Sequence, residues 1–178
     1  MQTASSLNQV KSWLENLIAT EHIELKQPDR DNKANYYSLV APAVHICLVP
    51  PNCLVDPAGT RIPCLVVGTS ESAEDSDSSS MELHITAIVY DPGFQKEDAA
   101  GRLQLVPNFD GYITLLNLLD RVKGWVRRED GIADRFQLEG AVRLKTYEEQ
   151  PWPYWYGSLS FTVSGVPYPV TKYADALN

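Results

Sequence analysis

Leu7, Val10, Trp13, Leu14, Leu17 and Ile18 recur at steps of three and four, which draws one apolar stripe along a helix near the start of the chain. Ser6 followed by Gln9 has the form of a capping box and puts the helix start there, so the reading is a short amphipathic helix. The stretch from Pro28 to Lys33 is polar and reads as a loop. From Ala41 to Val49 the residues turn apolar and β-branched, with Val44, Ile46 and Leu48 on one side of a strand that Pro50 and Pro51 would end. Ile62 to Val67 is a second apolar run. Glu82 to Tyr90 is a third, in which Leu83, Ile85, Ala87 and Val89 alternate with His84, Thr86, Ile88 and Tyr90.

Between the second and third runs, Thr69 to Met81 is Ser-rich and carries Glu71, Glu74, Asp75 and Asp77 with no basic residue. Its polarity predicts a flexible loop at about 69–81; the plainer alternative is the solvated tip of a hairpin. Further on, Leu115, Leu118, Leu119, Val122, Trp125 and Val126 form the stripe of a second, longer helix, with Asp110 as its N-cap and Gly131 as its terminator. Arg127 and Arg128 fall at its C-terminal end, where they favour the helix dipole. Arg135 to Tyr147 and Tyr154 to Val163 read as two long strands joined across Glu148 to Pro153. In the second, Trp155, Leu159, Phe161 and Val163 face one way and Tyr154, Tyr156, Ser158, Ser160 and Thr162 the other, the pattern of a sheet with one covered face.

These elements describe an α+β fold: a mostly antiparallel sheet packed against an N-terminal helix and a longer central helix. With 178 residues, 44% of them hydrophobic and 21% charged, the chain is expected to form a single domain over 1–178 with an ordinary core. The net charge of −8 argues against a general nucleic-acid binder, which needs a concentrated cationic surface. No basic, apolar leader and no long uninterrupted apolar run occurs, so secretion and membrane insertion are not expected and synthesis in a cytoplasm is.

Candidate chemistry is sparse. The sequence has no phosphate-cradling GxxxxGK[ST], no GxGxxG, no GxSxG and no HExxH. His45, Cys47, Cys53 and Cys64 are the best metal candidates, because His45 and Cys47 would share a strand face, but they lack the paired CxxC knuckles of structural zinc sites. The reading is therefore no enzyme, no cofactor and no metal. What remains informative is Gln150-Pro151-Trp152-Pro153-Tyr154-Trp155-Tyr156-Gly157, where prolines hold the backbone extended and aromatics supply rigid contact area of the kind found at interface anchors.

The order of elements, and the run from Glu148-Glu149-Gln150-Pro151-Trp152-Pro153 into the aromatic strand Tyr154 to Phe161, resembles the tail terminator (tail completion) proteins of long-tailed bacteriophages. The resemblance implies a structural virion protein, made in the host cytoplasm. It would cap the tail tube as a hexameric ring, with the tube protein on one side and head-tail connector or neck proteins on the other, and with DNA only passing through the lumen. A ring is built from heterologous contacts and needs two complementary patches per subunit. Trp152, Tyr154 and Tyr156 are the candidates for one. The acidic set Glu71, Glu74, Asp75 and Asp77 meeting Arg127 and Arg128 of a neighbour is the candidate for a charged contact. The alternatives are another neck or head-completion component and, from a different class, a small ligand-binding or hydrolase domain with a pocket gathering His45, His84 and Cys47.

Overall fold

The computed structural model describes residues 3–28, 37–50, 61–75, 78–99, 101, 103–128 and 131–165. The first apolar stripe forms helix α1, Thr3–Thr20, and buries Ser6, Val10, Leu14 and Ile18 at helical spacing. The helix starts three residues before the expected cap, and Ser6 lies on its buried face instead of at its end. The second stripe forms α2, Asp110–Val126, burying Leu115, Leu118, Leu119, Val122, Trp125 and Val126. At 18 and 17 residues the helices are of nearly equal length, so the central one is not the longer.

Both ends of α2 also differ from expectation. Phe109 occupies the N-cap without a side-chain cap bond, and Asp110 is the first helical residue. Asn108 takes over locally, its amide donating to the Asp110 carboxylate at 2.6 Å and its oxygen accepting the Asp110 N–H at 3.2 Å. At the other end Arg127 is the C-cap, ahead of Gly131. Gly131 instead enters a tight turn in which Ile132 and Phe136 exchange backbone hydrogen bonds across Ala133 and Asp134, both at positive φ. This turn delays the next strand to Gln137.

The main sheet has five strands: β3 (Ala43–Ile46), β4 (Cys64–Glu74), β5 (Ser79–Tyr90), β8 (Gln137–Thr146) and β9 (Tyr154–Gly165), in the order β3-β4-β5-β9-β8. It is mixed: β3 runs parallel to β4 and the other three pairings are antiparallel. Both helices pack on the face lined by Leu65, Val67, Met81, Leu83, Ile85, Ala87, Val89, Trp155, Leu159, Phe161 and Val163. At about 25 cal/mol per Å² of apolar surface, each fully buried Leu or Phe here contributes roughly 1.5–3 kcal/mol. Gly157 makes this contact possible, because a Cβ there would sit 2.7 Å from Leu119 Cδ1.

The expected loop at 69–81 is corrected. β4 runs on to Glu74 and β5 begins at Ser79, so the acidic tract is a long hairpin in which Glu74 pairs with Ser79. Its polarity reflects the exposed end of β4, whose backbone groups pair with a β5 end that buries Ser79 and Met81. Asp75 closes the tip, its backbone N–H donating to Ser78 O at 2.9 Å and its carboxylate accepting the Ser78 N–H. Asp77 lies outside the described residues, as does Cys53.

Two small antiparallel ribbons were not expected from sequence: β1 (Leu25–Pro28) with β2 (Tyr37–Val40), and β6 (Phe94–Glu97) with β7 (Leu103–Val106). Pro28 therefore ends a strand, and the rest of the expected loop from Pro28 to Lys33 is outside the described residues. The strand expected over Ala41 to Val49 is shorter, because Cys47 takes a positive φ of 71° and turns the chain away after Ile46.

Candidate protein-interaction surfaces

The register of β5 against β9 fixes the two ends of the sheet. Tyr90 pairs with Tyr154 at one end and Ser79 with Gly165 at the other, a span of about 36 Å at 3.3 Å per residue. One end is aromatic and the other acidic.

At the aromatic end the alternation of β9 divides the predicted set. Trp155 points to the helices and is 5% exposed, with its Nε1–H donating to Asp91 O at 3.3 Å. It lies against Gly111, where any Cβ would collide with the indole. Tyr154 and Tyr156 point to the helix-free face. Tyr154 meets Tyr90 at a ring separation of 5.4 Å, and Tyr156 meets Tyr147 edge-on at 5.9 Å. Burial, reinforced by the neighbouring Tyr154, Cys64 and Tyr147, raises the Tyr156 phenol above its ordinary value. Trp152, in the β8–β9 connection, is 48% exposed. Gln150 shapes that connection: its Nε2 donates to Tyr147 O and Tyr156 O, both at 2.9 Å, and its Oε1 accepts the Tyr156 N–H at 2.6 Å.

At the acidic end Glu71, Glu74 and Asp75 are all exposed along the β4–β5 hairpin. Arg127 and Arg128 are not brought to them by any hydrogen bond or ion pair among the described residues. Arg127 caps α2, while Arg128 Nη2 donates to Glu21 Oε1 at 2.9 Å. Glu21 also accepts the Trp125 Nε1–H at 2.7 Å and lies 3.8 Å from Arg121, so this single carboxylate ties the end of α1 to α2. Arg128 thus has a partner within its own chain.

A further group escaped the sequence reading. Phe94 and Val106 are cross-strand neighbours on the β6–β7 ribbon and are 58% and 43% exposed; Phe109 and Ile113, one helical turn apart at the start of α2, are 81% and 55% exposed. The signal was present, because Phe109 and Ile113 fall outside the stripe of Leu115, Leu118 and Leu119, where an exposed helix face should be polar. The ribbon begins just past Asp91, a 4% exposed residue whose Oδ1 accepts from Lys26 Nζ at 2.7 Å and from the Gly93 N–H at 2.9 Å.

Of the metal reading, the described residues His45, Cys47 and Cys64 do not form a cluster. His45 Nε2 lies 3.2 Å from Arg61 O, Cys47 is exposed and Cys64 is buried. Burial is the main cause that lowers the His45 pKa, partly opposed by that backbone hydrogen bond. His84 Nε2 is 2.9 Å from Ser70 Oγ, which donates to Glu82 at 2.7 Å. Among the described residues no three His, Cys, Asp or Glu side chains converge as metal ligands. No helix among them is long and apolar enough to cross a membrane. The sequence matches no known family profile and no curated protein.

Proposed function

We propose that this chain is a structural subunit that assembles through its surfaces, and that it caps the tail tube of a long-tailed phage as a hexameric terminator ring. The observation that supports the reading is the chemical polarity of the sheet: tyrosines and Trp152 gather at one end and the acidic hairpin projects at the other. A ring of such subunits, stacked with that axis along the tube, has one face rich in the aromatic residues that anchor protein contacts and another face that is anionic. The first face would suit the tube or the connector, and the excess of acid over base would let DNA pass without being held. The α+β architecture, with both helices on one sheet face, is compatible with the tail-terminator resemblance.

The test is co-expression with tail tube protein, followed by light scattering and electron microscopy. The expected result is a six-subunit mass with density at tube ends. A stable monomer that neither forms rings nor binds tube ends would overturn the reading.

A further inference from the structure

We infer that the cleft between α1 and the turn at 131–136 is a binding site for a neutral saccharide, held by the uncharged hydroxyl and amide groups of α1, the Trp13 indole and the Asp134 carboxylate. The inference goes beyond the assembly reading and does not depend on it.

Three observations carry it. The first is the cleft itself, about 380 Å³ in volume and open to solvent, with Ser5, Asn8, Gln9, Ser12, Trp13 and Asn16 on the α1 side. Ala133 and Asp134 line the turn side. That volume lies within the range of small-molecule sites, roughly 300–1,000 Å³. Trp13 is half-buried and packs against the core, so its ring forms a fixed wall.

The second is composition. The two charged residues of α1, Lys11 and Glu15, pair with each other at 3.6 Å and do not line the cleft. The lining face instead repeats Ser and Asn at the exposed positions Ser5, Asn8, Ser12 and Asn16, although both types are poorer helix formers than Ala, Lys or Glu. Asn8 Nδ2 donates to Ala4 O at 3.0 Å and Gln9 Oε1 accepts from Arg135 Nη1 at 3.4 Å. Ser12 and Asn16 have no side-chain hydrogen bond among the described residues. Residues that weaken a helix and meet no partner in the fold mark a functional surface.

The third is backbone. Ala133 and Asp134 take successive φ of 55° and 54°, a left-handed conformation that disfavours alanine. Ile132 and Phe136, 0% and 1% exposed, impose it by exchanging backbone hydrogen bonds at 2.8 and 3.0 Å. A buried anchor thus fixes the exposed Asp134 at the rim of the cleft, and backbone held in this way collects at ligand sites.

The lining chemistry names the ligand class. Hydroxyls and carboxamides both donate and accept, as sugar hydroxyls do, and a carboxylate accepts from neighbouring hydroxyls. The indole offers a flat apolar surface to the C–H face of a pyranose ring. Among the described residues no Lys or Arg lines the cleft, and Asp134 repels anions, which disfavours phosphorylated or acidic ligands.

The test is saturation-transfer NMR on the intact chain with maltose, cellobiose and N,N′-diacetylchitobiose as probes. At least one should take up saturation at its ring protons, with the millimolar dissociation constant expected of an open cleft. Ser12→Ala and Asn16→Ala should each weaken binding about tenfold, since each removes a hydrogen-bonding group. Both should also raise the thermal midpoint, because alanine is the better helix former. A structural role would move stability the other way. Asp134→Asn, which tolerates the left-handed turn, should likewise weaken binding. No transfer from any of the three sugars, unchanged binding in the Ser12→Ala/Asn16→Ala double variant, or a fall in its thermal midpoint would each overturn the site. Each of these outcomes leaves the ring reading standing.

Discussion

The ammonium of Lys26 sits 2.7 Å from the carboxylate of Asp91, joining the β1–β2 ribbon to the point where the β6–β7 ribbon leaves β5. The Asp91 side chain is 5% exposed and also accepts the Gly93 N–H. Its backbone is held too, by the Trp155 indole at its carbonyl and by Pro153 O, which accepts its N–H. Lys26→Met would leave a buried carboxylate without its cation, a loss of about 2–4 kcal/mol. Adding Asp91→Asn should restore part of that loss, because the amide oxygen can still accept from Gly93. Equilibrium denaturation of the two single variants and the double variant measures the coupling, and additive effects would show that the pair is not coupled.

Much of the fold was legible because its core elements have clean periodicity. The stripes of α1 and α2, and the alternation in β5 and β9, each follow from one covered face. The ribbons were not legible, because strands of four residues such as Leu25–Pro28 and Phe94–Glu97 are too short to show a period and are stabilised by partners distant in sequence. The acidic hairpin reads as a loop for a related reason: both faces of the β4 end meet water, so from Ser70 to Glu74 its side chains resemble those of a loop and only backbone pairing distinguishes it. In the candidate surface, Trp152, Tyr154 and Tyr156 were visible as an aromatic cluster. Phe94 and Val106 were not, since their exposure depends on where the ribbon projects.

At Gly111 α2 lies against the sheet, with the Trp155 indole occupying the space where a Cβ would be. Gly111→Ala must push the indole or the helix aside. Although alanine favours a helix interior by nearly 1 kcal/mol over glycine, overpacking should dominate and cost a net 1–3 kcal/mol. Displacement of Trp155 from Asp91 O should also alter the tryptophan emission of the folded protein. An unchanged spectrum together with higher stability would mean that the helix shifts without cost.

Gln150 replaces a missing rung of the β8–β9 ladder with its side chain, making three hydrogen bonds to backbone groups of Tyr147 and Tyr156. Gln150→Ala should cost about 1–3 kcal/mol, since the partly buried Tyr156 N–H loses its acceptor. The more specific readout is amide exchange at Tyr156, whose N–H has Gln150 Oε1 as its acceptor; it should exchange markedly faster in the variant. Gln150→Glu, which keeps an acceptor but loses both donors, should protect that one amide and still destabilise the connection. Equal exchange in all three proteins would remove Gln150 from this role.

Cys64 is fully buried at the start of β4, paired in register with Ala43 on one side and Ile88 on the other, and burial pushes its thiol from 9.0 up to about 12, with Arg61 weakly opposing. The folded chain therefore keeps this thiol protonated at pH values where the unfolded chain releases the proton. The folded pKa lies above the unfolded one, so the unfolded state loses its proton first and stability falls as pH rises through the window from about 9 to about 12, by about 1.4 kcal/mol per unit once the unfolded thiol is ionised. Cys64→Ala removes that slope. Comparing the two proteins between pH 8.5 and 10.5, the stability of the parent should fall relative to the variant by about 2 kcal/mol. The same burial predicts that iodoacetamide modifies the exposed Cys47 in the native state, whereas Cys64 reacts at the rate of unfolding. Rapid native-state labelling of Cys64, or parallel pH profiles for the two proteins, would contradict the burial that sets its pKa.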